Sequence, residues 1–288
     1  MLGPMMRAVV GLAAVAVLGS WPAGQVVAKP AAPVPAQAPW IGVGITDGAA
    51  GVAVTEVYHD TPAADAGLAP GDEILEVNGT GVTTTRALIS QITRREPGDK
   101  VPLLVLRDGK RFVARVVLAR KPTAGELMES QLVGRPAPPV PGVGRSGGFE
   151  PAAYRGRAVV LLLFSFTSPT GDVAVRALAK QSHARSDREA VIVGAVPVVD
   201  GGQAAVRAFA NRMAVSFALL PVDAMEVSRA YAWTHGLPAI IVLDRGGIVR
   251  FARTLDTGTG DQRRQVGALV DEATYALEGV LASRRASR

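Results

Sequence analysis

The side chains best placed to do chemistry in this sequence lie in one short turn, Ser168-Pro169-Thr170-Gly171-Asp172. The turn follows an apolar, strand-like run (158–166) and precedes a helix-like stretch. Its hydroxyl and carboxylate groups cannot form the reversible S–S couple of thiol chemistry, and none of the 288 residues is a cysteine. We expect Asp172 to cap the following helix. A catalytic carboxylate is the weaker alternative, because no general-acid partner accompanies it.

The other candidates for catalysis or metal binding are isolated along the chain. The stretch Gly144-Arg145-Ser146-Gly147-Gly148 resembles the nucleophile loop of trypsin-like proteases, but it lies in a Pro/Gly-rich linker. A serine-protease triad there would also have to recruit His59. The histidines His59, His183 and His235 come without cysteines or clustered carboxylates. The sequence therefore predicts no metal site and no cofactor.

Short alternating strands separated by specific turns make up the first half of the chain. An N-cap and a proline open a short helix, a glycine ends it, and a second helix is predicted over 84–93. Two further turns require positive backbone angles. In chain order, these markers are Thr61, Pro62, Gly67, Asn78-Gly79 and Asp108-Gly109.

This order of turns and strands resembles a bacterial PDZ domain of the HtrA and tail-specific-protease type. The resemblance implies that an extended peptide adds as a strand between an open strand and a helix. Gly42 would allow close backbone approach to a terminal carboxylate. The alternative is that the same residues form the ordinary core of a small barrel with an unused groove. The implied peptide-binding residues are Trp40, Ile41, Gly42, Val43, Gly44 and Ile45, with Leu88 and Ile92 as the opposite wall.

The second half alternates apolar strands with amphipathic helices, and it resembles the thioredoxin-like TlpA and redoxin families. The resemblance is carried by the lead-in LVGRPAP (132–138), the strand before the 168–172 turn, and Gly236-Leu237-Pro238. Those families carry a Cys-x-x-Cys pair or one peroxidatic cysteine in that turn, so the thiol chemistry usual for them is excluded in this chain. The resemblance also implies a cis peptide bond at Pro238, and a trans proline that merely starts a strand is the alternative.

The fold class predicted from these features is a two-domain chain. A PDZ-like small β-barrel with helices (α+β) precedes an α/β thioredoxin-like fold. The predicted divisions are a signal peptide (1–28), a Pro/Ala linker (29–39), the PDZ domain (40–121), a linker and lead-in segment (122–148) and the cysteine-free thioredoxin-like domain (149–283).

The start of the chain has the pattern of an export signal. Arg7 precedes an apolar run (8–18), and Val26-Val27-Ala28 predicts cleavage after Ala28. We therefore predict a periplasmic or secreted protein, with membrane association only if the signal stays uncleaved. The net charge of +6 is scattered and lacks aromatic stacking partners, so no nucleic-acid binding is predicted.

Together these features predict an exported, non-enzymatic binding protein whose partners are peptide tails or exposed segments of exported proteins. One alternative is a TlpA/redoxin-type oxidoreductase or peroxidase relative that acts through a partner's thiols. Another is a periplasmic chaperone, which would bind unfolded clients without regard to their terminal carboxylate.

Overall fold

A computed structural model describes residues 38–143, 147–182, 189–198, 202–233, 237–255 and 261–283. The predicted signal peptide, most of the Pro/Ala linker, part of the protease-like loop, His183 and His235 lie outside these ranges. Within them, no helix is both long enough and apolar enough to cross a membrane.

The first half forms an antiparallel sheet. Its strands are β1 (Pro39–Trp40), β2 (Val43–Asp47), β3 (Val52–Val57), β4 (Glu73–Val77), β5 (Thr80–Gly81), β6 (Lys100–Arg107), β7 (Lys110–Val117) and β8 (Ala119–Arg120), and its helices are α1 (Pro62–Asp65) and α2 (Thr85–Thr93). The sheet order is β2-β3-β4-β6-β7, with β5 beside β4, while β1 pairs separately with β8. Alternate residues point inward, so Val52, Val54, Val101, Leu103 and Val105 share one buried core.

The turns of the first half are those that the sequence predicts. Thr61 caps α1 by accepting from the Ala64 N–H, and Pro62 occupies the first helical position. Gly67 has a φ of 74° just after the helix. Asn78-Gly79 and Asp108-Gly109 also have positive φ at both residues, as tight hairpin turns require.

A buried ion pair fastens the turn after α1 to the end of β6. Asp72 is completely buried, and its two oxygens accept from Arg107 Nε at 2.6 Å and Nη2 at 2.7 Å. The Ala69 N–H donates to the same carboxylate at 2.9 Å. Burial opposes ionisation, but these hydrogen bonds outweigh it and hold the pKa of Asp72 below its usual value.

The second half is an α/β region with helices on both faces of one sheet. Its elements are α3 (Ala124–Leu132), a 3-10 turn (Pro151–Tyr154), β9 (Ala158–Leu163), α4 (Pro169–Ser182), β10 (Ala190–Val198), α5 (Gln203–Met213), β11 (Ala218–Asp223), α6 (Ala224–Ala230), β12 (Ala239–Leu243), β13 (Val249–Thr254) and α7 (Gln262–Ala282). The sheet order is β11-β10-β9-β12-β13. The strands β9, β10 and β11 are parallel to one another, and β12 is antiparallel to both of its neighbours, β9 and β13.

Every residue of β9 is buried, because one core cluster covers each face of this sheet. Residues of α4, α5 and α7 pack on one face, and residues of α3 and α6 pack on the other. This two-sided burial explains why β9 is continuously apolar rather than alternating.

The described part of the segment 122–148, predicted as a linker and lead-in, packs on the second half at several points. It begins with α3, whose capping box joins Thr123 and Glu126. Met128 and Leu132 of α3 are 0% and 4% exposed in the second core. Farther on, Pro136 pairs with Ile248 of the second half. A Pro/Gly-rich composition predicts a spacer, but here the apolar face of α3 ties the segment to β13.

Candidate functional site

The strand β2 forms one edge of the first sheet, so only its β3 side is paired within the described part of the chain. The Tyr58 N–H donates to the Gly42 carbonyl at 3.1 Å. Because the hydrogen-bonding side alternates along a strand, Gly42 and Gly44 face β3. The N–H and C=O of Val43 therefore point away from the sheet. This free edge is a template for one more strand.

The helix α2 lies beside β2, and the first turn of α2 closes one end of the gap between the helix and the strand. The Thr85 N–H donates to Asp47 Oδ1 at 2.7 Å, which fastens the first turn of α2 to the end of β2. Thr84 caps the helix by accepting from the Ala87 N–H at 3.2 Å. The other end of the gap is formed by the loop from Trp40 to Val43.

That loop presents backbone N–H groups. Its carbonyls are turned inward: Ile41 C=O accepts from the Ala63 N–H at 2.8 Å, and Gly42 C=O accepts from the Tyr58 N–H. The N–H groups of Ile41 and Gly42 have no acceptor among the residues that the structure describes. Adjacent backbone N–H groups without an acceptor are the kind of arrangement that can bind a carboxylate.

Only glycine fits at position 42. Gly42 is buried and has a φ of +90°, and a Cβ added there would lie 2.3 Å from Thr61 Cβ. The Thr61 hydroxyl also donates to the Gly42 carbonyl at 3.4 Å. The close contact at Gly42 is with Thr61, so the approach of a terminal carboxylate stays a prediction, and Thr61, predicted only as a helix cap, has a second role in packing against the loop.

Trp40 flanks the loop rather than sitting free beside it. It is half-buried, and its ring stacks on Tyr58 with 5.9 Å between centroids. Burial raises the pKa of Tyr58, and the neighbouring Glu56, which is hydrogen-bonded to it, raises it further. Burial also raises the pKa of Glu56. The aromatic pair braces the loop from the side of β3.

The predicted wall of the groove needs correction. Leu88 and Ile92 are 1% and 5% exposed and belong to the core of the first half, as the alternative of an ordinary barrel core would have them. The large apolar side chain that α2 exposes is Ile89, at 52%. The sequence spacing allows for this difference, because Ile89 lies one turn after Thr85 and about 100° around the helix from Leu88, so Ile89 and Leu88 point in different directions.

The turn 168–172 of the second half is closed by its own hydrogen bonds. The helix α4 begins at Pro169, so Asp172 lies inside its first turn and the predicted cap at Asp172 is wrong. A carboxylate in a first turn still suits the helix dipole. The hydroxyls of Ser168 and Thr170 are 2.7 Å apart, and Thr170 is only 4% exposed.

The cis bond predicted at Pro238 is also wrong. Among the described residues no peptide bond is cis, and Leu237–Pro238 is trans. The Pro238 carbonyl accepts from Thr254 Oγ1 at 3.1 Å and from the Leu255 N–H at 3.4 Å. These bonds tie Pro238 to the end of β13 as the trans chain enters β12. The alternative, a proline that starts a strand, is what the structure contains.

Of the remaining candidate side chains, His59 is among the described residues, whereas Ser146, His183 and His235 lie outside them. No group of three or more His, Asp or Glu side chains that could hold a metal occurs in the described part of the chain. The backbone of His59 is bound by Gln131, with the His59 N–H donating to Oε1 at 2.8 Å and Nε2 donating to the His59 carbonyl at 2.9 Å. Nothing in the sequence pattern pointed to Gln131.

Comparisons with known proteins concern mainly the first half. Residues 39–118 match the family model of the PDZ domain. A DegP-like periplasmic serine endoprotease of Pseudomonas savastanoi is 39% identical over 82 residues, which are 28% of this chain and 17% of the relative. The chain thus spans about a sixth of the length of that relative.

Two solved structures are similar to parts of the chain. The HtrA-type protease AlgW, solved with a decapeptide, is 31% identical with a TM-score of 0.29, over 30% of each chain. A thiol:disulfide interchange protein DsbE of Chlorobium tepidum is 17% identical with a TM-score of 0.41, over 50% of this chain and 97% of its own. Residues 39–118 thus match the PDZ domain model, and an 82-residue stretch of the chain is similar to a DegP-like endoprotease.

Proposed function

We propose that this protein binds the C-terminal ends of peptides in the groove between β2 and α2. The observation that carries the proposal is the Trp40–Val43 loop, whose carbonyls are turned inward while the N–H groups of Ile41 and Gly42 stay unpaired among the described residues. The peptide would add as a strand to the free edge of β2, and its terminal carboxylate would accept from these N–H groups.

The side chains around the groove favour an apolar peptide end. Val43 and Ile45 on β2 are half-buried and pack on the core of the PDZ domain, and Ile89 on α2 is exposed. A last peptide residue such as Val or Leu would cover Ile89 and remove apolar surface from water, which is favourable by about 25 cal/mol per Å².

The second half would serve as a scaffold without redox or other enzymatic activity. We propose a thioredoxin-like fold for it, supported by two sheet features, the parallel β10-β9 pair and the antiparallel β12-β13 pair beside it. The chain has no cysteine for thiol chemistry. The hydroxyls of Ser168 and Thr170 in the 168–172 turn also bond to each other.

Export to the periplasm is part of the same proposal. It is supported by the basic and apolar pattern at 1–28 and by the periplasmic location in the name of the DegP-like relative. The peptides offered to the groove would then be the ends of other exported proteins.

The groove can be tested with one surface substitution and a matched control. Ile89→Glu places a charge where we propose that the peptide side chain lies, and we expect it to weaken binding of a decapeptide ending in Val by tenfold or more. Val113→Glu changes a side chain of almost equal exposure (55% against 52%) on the far edge strand β7. Isothermal titration calorimetry measures both affinities.

Equal affinities in the Ile89→Glu and Val113→Glu variants would contradict a groove at α2. Undiminished affinity of both variants relative to the wild type would place the peptide elsewhere. Because both substitutions are at exposed positions, loss of folding does not confuse the result, and circular dichroism checks this directly.

A further inference from the structure

The short segment Tyr58–Thr61 packs directly behind the loop from Trp40 to Val43. The Tyr58 N–H holds the Gly42 carbonyl at 3.1 Å. The Thr61 hydroxyl lies 2.7 Å from the Tyr58 carbonyl and 3.4 Å from the Gly42 carbonyl. The position of this segment therefore determines where the free N–H groups of the loop point.

The outer side of the same segment is held by α3. The side-chain amide of Gln131 bonds both backbone groups of His59, with its Oε1 accepting at 2.8 Å and its Nε2 donating at 2.9 Å. One amide thus does for His59 what a neighbouring strand would do. Beside it, Arg135 Nη2 lies 3.0 Å from Asp60 Oδ2, and Asp60 has a positive φ of 55°.

The position of Gln131 is in turn fixed by the second half. Its helix buries Met128 and Leu132 in the second core and packs against β13. Between α3 and the segment lies a cavity of about 190 Å³, lined from both halves by Glu56, Tyr58, Leu132, Pro138 and Arg229 among others. With this space beside it, the segment depends on the Gln131 clamp more than on close packing.

We propose that Gln131 is a positioning residue for the peptide carboxylate. It acts through His59, Tyr58 and the Gly42 carbonyl, and it makes the second half a part of the peptide site. This inference rests on the proposed function. Because coupling between two sites is reciprocal, binding of a peptide carboxylate would also tighten the clamp between His59 and α3.

The test compares Gln131→Ala with Glu129→Ala. Glu129 lies on the same helix, and its carboxylate bonds Arg253 of the second half at 3.4 Å rather than the Tyr58–Thr61 segment. The probes are a decapeptide ending in Val with a free carboxylate and the same peptide with an amidated end. For the Gln131→Ala variant we expect about fivefold weaker binding of the free-carboxylate peptide and unchanged binding of the amidated one.

For Glu129→Ala we expect both affinities to equal those of the wild type. A Gln131→Ala variant that loses affinity equally for both peptides, or for neither, would overturn the positioning role, because the charged carboxylate depends on the position of the loop N–H groups more strongly than the neutral amide does. A purely structural role of Gln131 would weaken both peptides together.

Hydrogen exchange without peptide separates this inference from the proposed function. Loss of the clamp should speed exchange at the N–H groups of Tyr58 and Ala63, which hold the loop carbonyls, relative to the Glu129→Ala variant. If the wild type binds neither peptide but this difference is seen, the proposed function fails while the positioning of the loop by Gln131 stands. Equal exchange in the two variants overturns the positioning role, whatever the peptides do.

Discussion

Each half of the molecule contains a turn in which a side chain on glycine would collide with its surroundings. A Cβ on Gly42 would lie 2.3 Å from Thr61 Cβ, and a Cβ on Gly171 would lie 2.4 Å from the Ser165 carbonyl oxygen. Both turns therefore bring backbone unusually close to other atoms.

The two turns differ in where their backbone N–H groups go. In the first loop the carbonyls are satisfied from behind, which leaves the N–H groups of Ile41 and Gly42 free for a ligand. In the second turn the N–H groups of Gly171 and Asp172 donate to the Ser168 carbonyl as α4 begins. A close-packed glycine thus accompanies N–H groups without an acceptor among the described residues in one half, and a hydrogen-bonded helix start in the other.

The largest effect that we expect concerns the ion pair that stabilises the PDZ half. Asp72→Asn replaces the charged partner of Arg107, which is itself 39% exposed, by a neutral amide and should lower the free energy of unfolding by about 2 to 3 kcal/mol. The matched change in the second half is Asp244→Asn, at a turn carboxylate that is 21% exposed and bonds Arg250 at 2.7 Å. There we expect about 1 kcal/mol. Urea denaturation measures both.

The pH dependence checks the same pair. The pKa of each carboxyl is held below its usual value, because hydrogen bonds outweigh burial at both Asp72 and Asp244. Their stabilisation is therefore complete above the unfolded pKa of about 4 and is lost as the pH falls through the folded value. The difference between wild type and Asp72→Asn should shrink below about pH 4. A difference that stays constant down to pH 2 would contradict the role of the ion pair.

A smaller effect tests whether the two glycine turns are functionally separate. Gly171→Ala forces α4 away from the Ser165 carbonyl and should cost about 2 kcal/mol of stability. Gly267→Ala, in α7, meets no atom within 4 Å and should be neutral or stabilising by up to about 1 kcal/mol. Both variants should bind the decapeptide as the wild type does. A Gly171→Ala variant that is stable but binds weakly would show that the second turn contributes to the peptide site.

Local sequence signals determined much of the first half. Gly67, Asn78-Gly79 and Asp108-Gly109 each require backbone angles that few other residues tolerate, so their turns follow from residue type alone. The same holds for Gly42, where a short motif marks a close approach.

Tertiary contacts explain what the sequence did not reveal. The helical pattern of α2 shows which residues are apolar, but it does not say which of them the core covers, and so Leu88 and Ile92, predicted as the groove wall, are buried while Ile89 is exposed. The role of Gln131 depends on two elements far apart in the chain that meet only in the fold. The bond at Pro238 follows from its contacts with the end of β13, which no local pattern encodes.

The most direct test of the account is the dependence of peptide binding on the terminal carboxylate. Wild-type protein should bind the decapeptide ending in Val at least tenfold more tightly with a free carboxylate than with an amidated end, since amidation removes the negative charge and replaces one of the two oxygens that could accept from the N–H groups of Ile41 and Gly42 with an NH2 donor. Equal affinity for the two peptides, measured by calorimetry at the same salt concentration, would contradict carboxylate recognition by this loop.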